Sequence, residues 1–198
     1  MTGRDREIDR ALGEITGKSA ATGQQHADGP GQALSVRNIL LVSTAYDYFL
    51  LEEEGRLSEL FRKVYGQREL GYVPMIKHVA SGERALGAID GGWVDLLVIF
   101  NPPGDVPLLE LTRRAKGKEP GLKIVYLANN TPELSRMAAT GECTNIDRIF
   151  TWHGDGKIFL AIVQAMEDGE NFEPDSAAYG VRGILVHVPS LSRLSGLL

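Results

Sequence analysis

The sequence predicts an α/β fold in which a parallel sheet of five strands carries helices on both faces. The run at residues 39–42, ILLV, is apolar throughout, which is typical of a strand that is covered on both sides, and four further short runs are predicted as strands. Each run is followed by a longer segment with the periodicity of an amphipathic helix. Parallel neighbours need a crossover connection, and such helices supply it. The strands are expected at residues 39–42, 75–79, 96–100, 123–127 and 146–151.

A helix is predicted after each of these strands. The first is the longest, and its apolar residues are expected to form one stripe that faces the sheet. That stripe contains Phe49, Leu50, Leu57, Leu60, Phe61 and Val64. The helices are expected at residues 46–67, 81–89, 106–116, 132–139 and 157–167.

The segments outside this alternation predict the domain boundaries. Residues 1–35 have few apolar residues and predict a flexible leader, in which residues 8–15 could form a short amphipathic helix. Residues 36–169 form the predicted α/β domain, and the acidic residues 170–182 a linker. Residues 183–198 predict a strand and a tail. This strand either joins the first sheet or begins a second domain of the same type, and we favour the second interpretation.

Charge and composition narrow the classes of function. The 198 residues include 21 basic and 26 acidic side chains, a net charge of −5, without a basic cluster that could neutralise several phosphates. Nucleic acid is therefore not an expected partner. The N-terminal residues are charged and polar, and no apolar run approaches the roughly 20 residues that span a bilayer. We predict a cytoplasmic protein without a membrane partner, which the single cysteine, Cys143, also favours.

The first junction between strand and helix argues against a nucleotide cofactor. Dinucleotide-binding folds carry the glycine pattern GxGxxG at this junction, and P-loops carry GxxxxGK[ST], because bare backbone must approach the phosphates. Residues 42–47 read VSTAYD and contain no glycine. Neither pattern is present where it is required, and no cofactor is expected.

The strand ends and the loops after them, taken in order, resemble the response-regulator receiver family, which has a CheY-like, flavodoxin-like fold. The matching segments are NILLVS at residues 38–43, VASGERAL at 79–86, WVDLLVI at 93–99, PGD at 103–105 and GLKIVYL at 121–127. The resemblance extends over the whole predicted domain. It implies the strand order 2-1-3-4-5.

Two longer segments are similar to a particular group of receiver-like sequences. Residues 40–61 and 146–168 resemble the N-terminal receiver-like segment of proteins with a PEP/pyruvate-binding domain of the pyruvate, phosphate dikinase or phosphoenolpyruvate synthase type. In those proteins a second receiver-like domain follows. Residues 183–190, GILVHVPS, fall where that domain would begin.

The resemblance also shows which chemical groups have been replaced. Receivers hold Mg²⁺ with an acidic pair after the first strand, and they phosphorylate an Asp at the end of the third; a Thr or Ser and a Lys contact the phosphoryl group. The corresponding positions here are Ser43, Thr44, Phe100 (or Asn101 in a shifted register), Ala128 and Trp152. None of them can do the receiver's chemistry. We therefore expect no phosphoryl transfer, no catalytic residue and no metal site.

Three further residues have alternative interpretations. Asp47 could be a displaced metal ligand, but Thr44 and Asp47 three residues later also form a helix start, which we favour. Asp105 is expected to be a solvated loop residue. His153 follows Trp152 at the carboxyl edge of the sheet, where open α/β folds bind ligands. Trp152 could border a ligand pocket there, or it could fill the vacated acidic site, and we favour the second.

The sequence thus predicts a non-catalytic pseudo-receiver, a regulatory and protein-interaction module of signal transduction. It could be the N-terminal part of a phosphotransferase similar to phosphoenolpyruvate synthase. Two alternatives are a phosphorylatable receiver with displaced acidic residues and a sensor that binds a small ligand at the carboxyl edge. The expected partner is another protein or a downstream domain of the same chain. A homodimer could also form through the helices predicted at residues 132–139 and 157–167.

Overall fold

The computed structural model describes residues 35–66 and 72–179, with the side chains of residues 54, 55 and 170–179 left out of the description. The predicted leader with its helix at residues 8–15 lies outside these ranges, apart from Ser35. The strand and tail predicted at residues 183–198 also lie outside them.

The five strands form one parallel sheet, in which the second strand lies at one edge and the first, third, fourth and fifth follow it; this confirms the predicted order. The central strand, which is the third, is apolar throughout, and every one of its residues is buried. The fifth strand is shorter than predicted because residues 146 and 147 precede it. The strands are β1 (Asn38–Val42), β2 (Met75–Val79), β3 (Leu96–Phe100), β4 (Lys123–Ala128) and β5 (Arg148–Thr151).

Helices cover both faces of the sheet, as predicted. One apolar core lies between the sheet and the first, second and last helices, and the other lies between the sheet and the remaining three. Side chains that alternate along each strand therefore enter different cores. The helices are α1 (Ala45–Gly55), α2 (Leu57–Tyr65), α3 (Gly82–Asp90), α4 (Leu108–Lys118), α5 (Thr131–Thr140) and α6 (Ile158–Tyr179).

The predicted first helix is in fact two helices, α1 and α2. Arg56 between them has φ 41° and ψ 50°, a left-handed conformation that ends one helix, and its N–H donates to the carbonyl of Glu52 at 3.1 Å. The predicted apolar stripe is therefore wrong at Phe49, whose side chain is 57% exposed. After the break the buried residues of α2 are Leu57, Phe61 and Tyr65, four residues apart.

The last helix is longer than predicted. The prediction ended it at residue 167, whereas α6 continues to Tyr179, so residues 170–179 of the expected linker are helical. An acidic, polar segment can remain helical without an apolar face to bury when it extends from a helix that is already anchored. The domain boundaries themselves remain predictions. Within the described ranges, none of the helices is long and apolar enough to cross a membrane.

Candidate functional site

The carboxyl ends of four strands meet at one edge of the sheet. Val42 lies opposite Ile99, Phe100 opposite Leu127, and Ala128 opposite Thr151. This register places the residues that follow β1, β3, β4 and β5 at the same edge. The sequence positions singled out above are therefore neighbouring positions along one edge, and they are Ser43, Thr44, Phe100, Asn101, Ala128 and Trp152.

The hydroxyls of the two residues after β1 form hydrogen bonds with groups that are near in the chain. Ser43 is fully buried, and its hydroxyl donates to the carbonyl of Thr44 at 3.1 Å. Thr44 caps α1, because its Oγ1 accepts the N–H of Asp47 at 3.1 Å. The same hydroxyl donates to Oδ2 of Asp47 at 2.5 Å. This is the helix start expected from the sequence, with a carboxylate beside the positive end of the helix dipole.

Two aromatic rings are in contact at this edge. Phe100 is only 4% exposed, and its ring centre lies 5.6 Å from that of Trp152 at an interplanar angle of 51°. Trp152 is half-buried, and its backbone N–H donates to the carbonyl of Ala128 at 2.7 Å. The tilted ring contact is a favourable aromatic geometry. An apolar pair thus occupies two of the positions where the resemblance implies a carboxylate and a lysine.

A hydrogen-bond network that the sequence analysis did not identify borders this pair. Oδ1 of Asn101 accepts from Nδ2 of Asn129 at 2.5 Å, and the N–H of Asn129 donates to Oε2 of Glu133 at 2.8 Å. The hydroxyl of Tyr126 donates to Oε1 of Glu133 at 2.6 Å. Burial, with a smaller effect of Glu133, raises the pKa of Tyr126 above its ordinary range. The network ties the β3–α4 loop to the start of α5.

A local pattern could have indicated part of this network. Asn130 caps α5, with its Oδ1 accepting the N–H of Glu133 at 2.9 Å. An Asn followed three residues later by Glu is the pattern of a capping box. Asn101 has φ 46°, a left-handed conformation that asparagine tolerates better than most residues. Its pairing with Asn129, however, joins loops that only the folded sheet brings together.

A cleft of about 150 Å³ opens between α1 and these loops. Its apolar lining residues are Phe100, Trp152 and two leucines of α1. Asp47 and Asn129 supply its polar groups, and Gly154 completes it; the leucines are Leu50 and Leu51. Trp152 therefore packs on Phe100 and also lines the cleft.

Comparison with known proteins shows likeness at the level of structure. No protein-family model matches the sequence, and no curated protein does. The adenylate cyclase from Rhodopirellula baltica has a TM-score of 0.50 at 17% identity, over 73% of this chain and 96% of that one. The CheY-like response regulator receiver domain protein from Methanospirillum hungatei JF-1 has a TM-score of 0.50 at 18% identity, over 70% of this chain and 99% of that one. The fold is that of a receiver domain.

In this receiver fold, Asp105 is an exposed loop residue, as expected, and it also accepts hydrogen bonds from the start of a helix. Its Oδ1 accepts the N–H of Gly82 at 2.9 Å, and its Oδ2 accepts the hydroxyl of Ser81 at 2.8 Å and the N–H of Glu83 at 3.3 Å. The N–H of Gly82, ahead of its other partners, lowers the pKa of the Asp105 carboxyl. Asp105 therefore caps α3 from an exposed loop position, and it does not line the cleft.

The two described histidines lie in different surroundings. His153 is exposed and does not line the cleft, although it follows Trp152. His78 of β2 stacks on Tyr48 of α1, with ring centres 4.1 Å apart and planes within 1°. Its Nε2 lies 3.1 Å from the carbonyl oxygen of Ser43. Burial lowers the pKa of His78, and this contact opposes the shift. Among residues 35–66 and 72–179, no three His, Cys, Asp or Glu side chains come together as metal ligands would.

Proposed function

We propose that this chain is a pseudo-receiver, a regulatory module of signal transduction that works by binding another protein or a downstream domain and not by accepting a phosphoryl group. The contact between Phe100 and Trp152 carries the proposal. A phosphoacceptor site needs a carboxylate nucleophile, Mg²⁺ and a Lys close together, because the charge of the transferring group must be neutralised. Two packed rings at this edge leave no polar group in either place.

The engagement of Ser43 and Thr44 supports the same proposal. Both hydroxyls are hydrogen-bonded to groups of the β1–α1 junction, at 3.1 Å to the carbonyl of Thr44 and at 2.5 Å to Asp47. Neutral hydroxyls are weak Mg²⁺ ligands beside the carboxylates that magnesium sites in proteins use. The receiver fold would then be kept for its surfaces, and the signal would be passed on by association.

Intact-mass measurement tests this proposal against a phosphorylatable receiver with displaced acidic residues. The full chain is incubated with Mg²⁺ and acetyl phosphate, with a phosphorylatable receiver domain treated in parallel as the positive control. We expect no mass gain for this chain. A stoichiometric gain of one phosphoryl group would contradict the proposal, and the variants Asp47→Asn and Asp105→Asn would then locate the acceptor.

The homodimer expected through the faces of α5 and α6 remains a prediction. Among the described side chains, the large apolar residues with high exposure lie elsewhere, and two of them are within the first five residues of α1: Tyr46 is 69% exposed and Phe49 is 57% exposed. Multi-angle light scattering of the full chain over a range of concentrations tests for the homodimer. A chain that remains monomeric at every concentration would contradict it.

We extend the proposal to the larger protein that the resemblance implies. Residues 40–61 and 146–168 are similar to the N-terminal receiver-like segment of proteins with a PEP/pyruvate-binding domain. The chain would then regulate a phosphotransferase similar to phosphoenolpyruvate synthase. Reading the coding sequence downstream of residue 198 tests this. A second receiver-like domain followed by a PEP/pyruvate-binding domain is expected, and an unrelated sequence would contradict the extension.

A further inference from the structure

We propose that the cleft at the carboxyl edge binds a small primary alkylammonium ion, with Asp47 and Asn129 accepting from the ammonium group and Leu50 and Trp152 flanking its alkyl chain. The inference rests on the proposed function, because it assigns a ligand to the edge where a phosphorylatable receiver would hold its phosphoryl group. It makes the module a sensor of an organic amine.

The charge of the cleft selects the sign of the ligand. Of the described residues that line it, Asp47 alone is charged. The hydroxyl of Thr44 donates to Oδ2 of this carboxylate. Among the described residues, Oδ1 has no hydrogen-bond partner and the side chain forms no ion pair. A half-buried carboxylate without a counter-ion attracts a cation and repels phosphates and carboxylates.

The start of α1 does not reverse this preference. A helix N-terminus favours anions through its free N–H groups and its dipole. Here the N–H of Asp47 is already bonded to Thr44 at 3.1 Å, and the Asp47 carboxylate itself offsets the positive end of the dipole. An added anion would meet that carboxylate first.

Asn129 adds a second acceptor. Its Nδ2 donates to Oδ1 of Asn101 at 2.5 Å and lies 3.5 Å from Oε2 of Glu133. A carboxylate can only accept, so this contact places the NH₂ group on that side and leaves the carbonyl oxygen of Asn129 as the acceptor. That oxygen has no hydrogen-bond donor among the described residues. A primary ammonium group has three N–H donors and can use both acceptors.

The walls and the volume define the rest of the ligand. Leu50 and Trp152 are partly exposed and offer apolar surface to an alkyl chain, whereas Phe100 and Leu51, at 4% and 2% exposure, add little. An indole ring also attracts a cation placed over its face. A cavity of about 150 Å³ holds a molecule the size of benzene. A hydrated Mg²⁺ ion would leave these apolar walls without a complementary surface, whereas a short alkylammonium ion matches both parts of the cleft.

Fluorescence titration of the full chain tests the inference. The chain has two tryptophans, so Trp93→Phe leaves Trp152 as the reporter in the cleft. At constant ionic strength, n-butylammonium is expected to cause a saturable change in Trp152 emission. The neutral analogue n-butanol should bind at least roughly tenfold more weakly than n-butylammonium. Butyrate and Mg²⁺ should cause no saturable change. A response to butyrate or Mg²⁺ as strong as that to n-butylammonium would overturn the proposal.

Two variants in the Trp93→Phe background separate the site from the general charge of the protein. Asp47→Asn keeps an oxygen that can accept from Thr44 but removes the negative charge, and we expect n-butylammonium to bind about tenfold more weakly or worse. Glu53→Gln removes one charge from an exposed position of the same helix outside the cleft and should leave binding unchanged. Equal binding by both variants would overturn the inference, provided that circular dichroism shows both to be folded. A phosphoryl mass gain would contradict the proposed function. If n-butylammonium caused no saturable fluorescence change and no phosphoryl mass gain were seen, only this inference would be contradicted.

Discussion

The Oδ1 atom of Asp105 accepts the backbone N–H of Gly82 at 2.9 Å, and this bond fastens the loop after β3 to the start of α3. The two residues are 23 positions apart in the chain. The loop and the helix start lie close together, because a Cβ added to Gly82 would lie only 2.9 Å from Cβ of Val106, the residue after Asp105. The carboxylate also accepts from Ser81 and Glu83, so one side chain caps the first turn of a helix from outside that helix.

Replacing Asp105 should destabilise the fold by the amount typical of a lost helix cap. We expect Asp105→Ala to lower the free energy of unfolding by about 1 kcal/mol, because free N–H groups at the start of α3 lose their acceptor. Urea denaturation measures the difference. Asp168→Ala, at an exposed position of α6, is the matched control and should have little effect. Equal stability of Asp105→Ala and the wild type would contradict the capping role.

The same carboxylate should make stability depend on pH in acid. Its pKa is lowered from an ordinary value of 3.8, with the N–H of Gly82 as the largest cause. A group whose pKa is lower in the folded state stabilises the fold above its unfolded value, and that stability is lost as the pH falls through the folded pKa. The stability difference between the wild type and Asp105→Ala should therefore be constant near neutral pH and shrink below about pH 4.

His78 should make the fold less stable in mild acid. Burial lowers its pKa from an ordinary value of 6.5, so the unfolded chain binds the proton more readily than the folded one. Its contribution to stability is therefore lost as the pH falls below the unfolded value. His78→Phe can keep the stacking on Tyr48 without titrating, and its stability should change less between about pH 7.5 and about pH 5 than that of the wild type. His153→Gln, an exposed control, should behave like the wild type.

Phe100 should resist replacement by the carboxylate that the resemblance implies at its position. The ring is 4% exposed and packs in the core between the sheet and α6. We expect Phe100→Leu to cost about 1 kcal/mol, and Phe100→Asp to cost about 3 kcal/mol or more, since a charge would be buried there without a partner. Thermal unfolding of both variants measures this. A Phe100→Asp variant as stable as Phe100→Leu would show that the position is open to solvent or to a cation.

Replacing Arg56 by glycine should stabilise the fold. Its backbone has φ 41°, which costs a residue with a Cβ more than it costs glycine, and its ion pair with Glu59 is exposed and contributes little. We expect Arg56→Gly to raise the free energy of unfolding by about 0.5–1 kcal/mol. Arg62→Gly, inside α2, should lower it by about 1 kcal/mol. If both variants were destabilised equally, the left-handed conformation at Arg56 would be wrong.

The local features of the site could be predicted from the sequence because they depend on neighbours in the chain. Thr44 and Asp47, three positions apart, form a helix start, and the structure has it. The capping role of Asp105 was not predicted, because its partners are 22 to 24 residues away. The Asn101–Asn129 pair, 28 residues apart, was missed for the same reason. No periodicity or spacing encodes a contact between two loops.

The sequence by itself determined the alternation of strands and helices, since residues buried on both faces of a sheet must be apolar whatever their partners are. It also singled out, through the resemblance, the positions from Ser43 to Trp152. Only the tertiary structure decided how the residues at those positions lie together. The register of the sheet brings Phe100 onto Trp152 and opens a cleft beside Asp47 and Asn129. Such a site depends on distances between strand ends, and these distances exist only once the parallel sheet has formed.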